Sequence, residues 1–151
     1  MGRGRWTEAV ADEARRSSRH LSALTDLFRE AWLGDPIELI SDEEIDAVRR
    51  IRRVVFGGTE AEPTKHLGEA MTCYLIRARD ELSGSWWLTD DQEARRYAIR
   101  QQITTRDTLD VMSEIVADGD LTTADAYALM RTMAARDRQM RQPARPSDLG
   151  R

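Results

Sequence analysis

Apolar residues recur at helical spacing along most of this chain, and only a few short stretches break into an extended pattern. Thr7 to Arg16 reads as a helix with Val10, Ala11 and Ala14 on one side. His20 to Trp32 follows with Leu21, Leu24, Leu27, Phe28 and Trp32 in helical register, and Gly34-Asp35-Pro36 breaks it. Ile37-Glu38-Leu39-Ile40 reads as a short strand. Ser41-Asp42-Glu43-Glu44 is a capping box, in which Ser41 caps and Glu44 reaches back to the Ser41 amide. The helix it opens carries Ile45, Val48, Ile51, Val54 and Val55 and ends at Gly57-Gly58.

The strongest helical pattern is Lys65 to Leu82, where Leu67, Ala70, Met71, Tyr74, Leu75 and Ala78 form one apolar face. Ser83-Gly84-Ser85 turns into a strand, Trp86 to Leu88, with one indole on each face. Asp90 or Asp91 caps a helix running to about Ile99. Gln102 to Thr105 is a weak strand. Asp107 to Val116 is a helix that Gly119 stops, and Thr122 or Thr123 opens the last helix, with Tyr127, Met130 and Ala134 on one face. Pro143 and Pro146 mark a disordered tail over residues 143–151. Helices alternating with short apolar strands predict an α/β fold: a helix-rich single domain over residues 1–142, with a short, mostly parallel sheet flanked by helices.

Composition narrows the class. Hydrophobic residues at 40% and charged ones at 33% describe a folded globular chain. The net charge of −4 argues against avid nonspecific nucleic-acid binding by the whole surface, but leaves room for a local basic patch. No apolar run is long enough to span a bilayer, and Met1-Gly2-Arg3-Gly4-Arg5-Trp6 is not followed by the apolar stretch of a secretory signal. Cys73 is the one cysteine, which excludes an internal disulfide, fits a reducing cytoplasm and suits a small core residue.

The chemistry sits in two places. Leu67-Gly68-Glu69-Ala70 puts a carboxylate in the opening turn of an amphipathic helix. Trp86-Trp87-Leu88-Thr89-Asp90-Asp91 puts two carboxylates at the carboxyl end of a strand, the side of an open α/β sheet where ligands bind. Carboxylates gathered there are suited to a hard divalent cation. Each also has a plain structural use: Glu69 as a first-turn acid favouring the helix dipole, and the Asp pair as an N-cap and a solvated neighbour. His66, beside Lys65, stands within reach of a phosphate or metal, and is equally a half-exposed residue at a helix start.

The helix-opening Gly68-Glu69-Ala70, the strand-end Leu88-Thr89-Asp90-Asp91 with Glu93-Ala94-Arg95-Arg96 behind it, and the acidic helix Val10 to Arg16 resemble the PIN domain, the metal-dependent nuclease fold of VapBC-type toxins. Asp107 to Asp110 and Leu121 to Met140 are similar to the last helices of its toxin-like branch. The resemblance implies a ribonuclease binding Mg²⁺ or Mn²⁺, with RNA as substrate, an antitoxin as partner and a second copy of the chain as a further candidate partner. It makes Glu69 and Asp91 the metal ligands, with Asp90 the ligand if the register slips by one. Glu13 stands at the edge of the cluster, and Thr89, Arg95 and Arg96 contact substrate. The family begins with a central strand ending in Asp and a helix, which have no match ahead of Thr7. That leaves two expectations: a chain that is N-terminally incomplete relative to an active nuclease, which we favour, or an inactive PIN-derived binding module.

Overall fold

The computed structural model describes residues 4–136 and 138–150. These fall into two compact units, one up to Ser83 and one from Gly84, where a single domain was expected. Among the described residues the chain is helix-rich, with one short two-stranded parallel sheet. No helix among them is long and apolar enough to cross a membrane.

The first unit holds four helices: α1 (Glu8–Ser17), α2 (Ser22–Arg29), α3 (Asp42–Val54) and α4 (Leu67–Ala78). Thr7 caps α1, its hydroxyl accepting from the Val10 amide at 3.4 Å, and Ser41 caps α3 by accepting from the Glu44 amide at 3.2 Å. The reach-back of Glu44 lands on the Ile40 amide at 2.6 Å. Arg79, just past α4, grips the same carboxylate with Nε at 3.1 Å and Nη2 at 2.9 Å, and donates to the Glu38 carbonyl at 2.6 Å. The Arg79 hydrogen bond, then the Ile40 amide, hold the Glu44 carboxyl below its ordinary value despite burial. The core is α4 laid against α1 and α3. Ala70, Met71, Cys73 and Leu75 are buried on α4, Ala11 on α1 and Val48 on α3. Cys73 is the small core residue expected, and burial pushes its thiol up to about 11.

Two expected elements of this unit are shorter than the pattern suggested. The Ile37–Ile40 strand reduces to a single parallel bridge, Thr7 to Ile37, because only Ile37 exchanges backbone bonds, with Trp6 and Glu8. The Lys65–Leu82 helix starts at Leu67 and stops at Ala78, followed by a 3₁₀ turn at Asp80–Leu82. His66, at φ 59°, holds the left-handed conformation just ahead of it and so cannot continue the helix backward.

The second unit is a βαβ unit with two further helices. Strand β1 (Trp87–Leu88) leads through α5 (Gln92–Arg100) to β2 (Thr105–Arg106), parallel to β1 with Trp87 opposite Thr105 and Leu88 opposite Arg106. Helices α6 (Thr108–Ala117) and α7 (Thr123–Ala134) follow. Met112 of α6 and Ala126 and Met130 of α7 form a buried cluster. Leu149 completes it at 2% exposure, just after a 3₁₀ turn at Pro146–Asp148, in a segment expected to be a disordered tail. Trp87 is 5% exposed and Trp86 58%, which is the two-faced arrangement the strand pattern implied. The Arg106 guanidinium lies 4.6 Å from the centre of the exposed indole.

Candidate functional site

The acidic residues singled out by sequence divide between the two units. In the first, Glu13 of α1 and Glu69 of α4 line one cleft of about 370 Å³. Gly68 eases that proximity: a Cβ there would stand 3.0 Å from the Val10 methyl Cγ2, so a larger residue would have to push the Val10 side chain aside by a few tenths of an ångström. Asp12, Arg16, Lys65 and His66 share the cleft. Asp12 is paired with Arg15 at 2.6 Å and Lys65 with Glu62 at 3.2 Å. Arg16 has no ion pair among the described residues. The His66 Nδ1 lies 3.7 Å from Glu69 Oε1, both side chains half-buried, and its ring stacks on Phe56 at 6.1 Å. Sequence analysis gave Arg16 no role beyond the end of α1. The available signal was its spacing from Glu13, one helical turn on.

In the second unit, Asp90, Asp91 and Glu93 line a concavity of about 640 Å³ together with Arg141. Both Asp carboxylates already serve the backbone. Asp91 is the N-cap of α5, accepting from the Ala94 amide at 2.7 Å. Asp90 accepts from the Thr108 amide at 3.0 Å and the Thr108 hydroxyl at 2.6 Å, which ties the end of β1 to the start of α6. Thr89 Oγ1 accepts from the Asp91 amide at 3.2 Å. Of the expected phosphate contacts, Arg95 is committed inward, to Asp107 at 2.6 Å and Asp110 at 3.7 Å, while Arg96 is exposed.

The hub of this unit is Asp107, to which sequence gave only the start of a helix. It caps α6 in a reciprocal box with Asp110, and its side chain is 1% exposed. Burial pushes its carboxyl up. The Arg141 hydrogen bonds, the Asp110 amide and the charges of Arg141 and Arg95 outweigh that and hold it at about 2.

Oxygen donors of the kind Mg²⁺ or Mn²⁺ takes are therefore present in both units. Mg²⁺ needs only one or two carboxylates beside water, and Glu13 and Glu69 line one cleft. No group of three or more His, Cys, Asp or Glu side chains gathered to hold a metal occurs among the described residues. Comparison with protein-family models, curated proteins and solved structures returns no match.

Proposed function

We propose that this chain is a PIN-like module acting on RNA, a Mg²⁺- or Mn²⁺-dependent ribonuclease of the toxin type with an antitoxin as its protein partner. The observation that carries the reading is that Glu13 and Glu69, on separate helices, line one cleft. The strand-end position of Asp90 and Asp91, at the head of a parallel βαβ unit, supports it. A divalent ion, when bound, supplies a Lewis acid for the phosphate and a more acidic attacking water. The chain's own residues do the rest. Glu13 and Glu69 would hold the ion and its water in the cleft, with His66 standing 3.7 Å from the Glu69 carboxylate. Arg16 offers its free guanidinium to a phosphate oxygen.

A second reading, an RNA-binding module without cleavage, is favoured by the carboxylates of Asp90 and Asp91, which hold Thr108 and Ala94. One experiment separates the two. The protein is incubated with labelled RNA over a Mn²⁺ series, beside Glu69→Gln and Glu13→Gln. Cleavage that needs Mn²⁺ and is lost in Glu69→Gln supports the nuclease. Retention of RNA without cleavage at any Mn²⁺ concentration supports the binding module and defeats the nuclease reading.

A further inference from the structure

We propose that residues 138–150 form a strap that closes on Asp107 and Asp110 in the second unit and detaches from them as one piece, with Arg141 as its latch and Leu149 as its plug. This holds whether or not the cleft at Glu13 and Glu69 cuts RNA. Among the described residues, the backbone–backbone hydrogen bonds of the segment stay inside it: the Asp148 amide donates to the Arg145 carbonyl and the Leu149 amide to the Pro146 carbonyl, both at 3.1 Å. Pro143 and Pro146 have no amide hydrogen to give. The segment meets the body of the unit through side chains. The Arg141 guanidinium donates to both Asp107 oxygens, at 2.6 and 2.9 Å, and to Asp110 at 2.6 Å. Met140 and Leu149 pack on the cluster of Met112, Ala126 and Met130.

The latch is of a kind that releases. Arg141 is 45% exposed, so water takes over its donors as it leaves. Asp107 is not stranded by that departure, because Arg95 stays on it at 2.6 Å and the Asp110 amide at 3.0 Å. Closing also has a cost, since both amide atoms of Gln142 are buried without a hydrogen-bond partner among the described residues. A segment with no backbone ladder to its surroundings opens below the free energy of global unfolding. Opening changes the acidic concavity of this unit. Gln139, Met140 and Arg141 make one side of it, and Asp90, Asp91 and Glu93 the other. With the strap away, Asp107 and Asp110 lose the cation that masks them, at the same helix start where Asp90 holds Thr108 at 2.6 Å. The closed strap is thus the state in which the chain's own Arg141 answers these acids.

Thiol labelling of the whole chain tests it. Leu149→Cys puts a thiol on the plug, and the buried Cys73 of the first unit is the internal control. The expected result is labelling of the plug at least about tenfold faster than Cys73 and nearly flat across low urea, while circular dichroism reports a folded chain. Adding Arg141→Met should speed it about fivefold, and adding Gln142→Leu should slow it several-fold. Carbodiimide footprinting of Leu149→Ser, read by mass spectrometry, shows whether plug and latch move together. Asp110 should become several-fold more reactive than in the parent, with Glu114 of the same helix, already 52% exposed, unchanged. The proposal is overturned if labelling of the plug follows global unfolding in urea, if Arg141→Met leaves its rate unchanged, or if Asp110 gains no reactivity in a folded Leu149→Ser.

Discussion

Arg141 grips Asp107 from well along the chain, with Nε donating to Oδ2 at 2.6 Å and Nη2 to Oδ1 at 2.9 Å. The planar guanidinium fits both carboxylate oxygens at once, the strong form of this pair. Arg141 also reaches Asp110 at 2.6 Å, and Arg95 approaches Asp107 at 2.6 Å from α5. One buried carboxylate thus fixes the start of α6, the side of α5 and the root of the C-terminal segment that carries Leu149 into the core.

Replacing Asp107 by Asn keeps a good N-cap but takes away the buried anion that Arg95 and Arg141 share, leaving them only Asp110, at 3.7 and 2.6 Å. We expect a loss of about 2–3 kcal/mol, read as a lower urea midpoint. Arg141→Met should cost less, about 1 kcal/mol, since Arg141 is 45% exposed and Arg95 still neutralises Asp107. Equal losses for the two would contradict the hub role. The pH dependence has a definite sign. Asp107 is held at about 2 in the folded chain against an ordinary 3.8. Its contribution is therefore present above about pH 4 and lost as the pH falls from about 4 to 2. Denaturant midpoints across that window should drop less in Asp107→Asn than in the parent.

Much of this scaffold is legible in the sequence because its signals are local. Thr7, Ser41, Asp91, Asp107 and Thr122 all cap the helices that follow them, and each precedes an apolar periodicity it can start. The buried face of α4 follows the spacing of Ala70, Met71 and Leu75. What is not legible depends on distant partners. Nothing local to Arg141 or Arg79 says that each will fork onto a carboxylate far along the chain. The cleft has the same character: Glu13 and Glu69 each look like a solvated helix acid, and only the close approach at Gly68 brings them together. Arg95 shows the converse, a residue whose place one turn past the acidic strand end suggested substrate contact and whose partner is Asp107.

Asp91 offers a clean separation of structure from chemistry. Asn caps a helix about as well as Asp, so Asp91→Asn should leave the melting temperature nearly unchanged. Asp91→Ala should cost about 1 kcal/mol by removing the bond to the Ala94 amide. If Asp91 serves the nuclease, Mn²⁺-dependent cleavage disappears in both variants. If it serves only α5, cleavage survives in Asp91→Asn. Differential scanning calorimetry beside the RNA assay reads both quantities on the same samples.

The adjacent tryptophans should respond in opposite ways. Trp87, at 5% exposure, packs inward, and Trp87→Ala should cost about 3–5 kcal/mol. Trp86 is 58% exposed and rests against Arg106, a contact worth about 0.5–1 kcal/mol at the surface. Trp86→Ser should therefore lose no more than about that amount, while removing part of the iodide-accessible fluorescence and leaving that of Trp32, which is 70% exposed. Comparable destabilisation by both substitutions would mean that the face of β1 bearing Trp86 is covered in solution.

The Glu44–Arg79 pair ties the start of α3 to the end of α4, and its worth is open to direct measurement. Both side chains are largely buried, 12% and 15% exposed, and the contact is a two-point fork. Removing one partner strands the other, so Glu44→Gln and Arg79→Met should each cost about 2–4 kcal/mol. Arg79→Met also loses the bond to the Glu38 carbonyl and should be the more damaging. The double variant no longer buries an unpaired charge, so it should be destabilised by less than the sum of the singles, with a coupling of about 1–3 kcal/mol. Because the Glu44 carboxyl is held below its ordinary value, that coupling should be full at neutral pH and shrink as acid protonates Glu44. Additive losses in the cycle at pH 7 would show that Glu44 serves α3 through the Ile40 amide alone and that Arg79 acts independently of it.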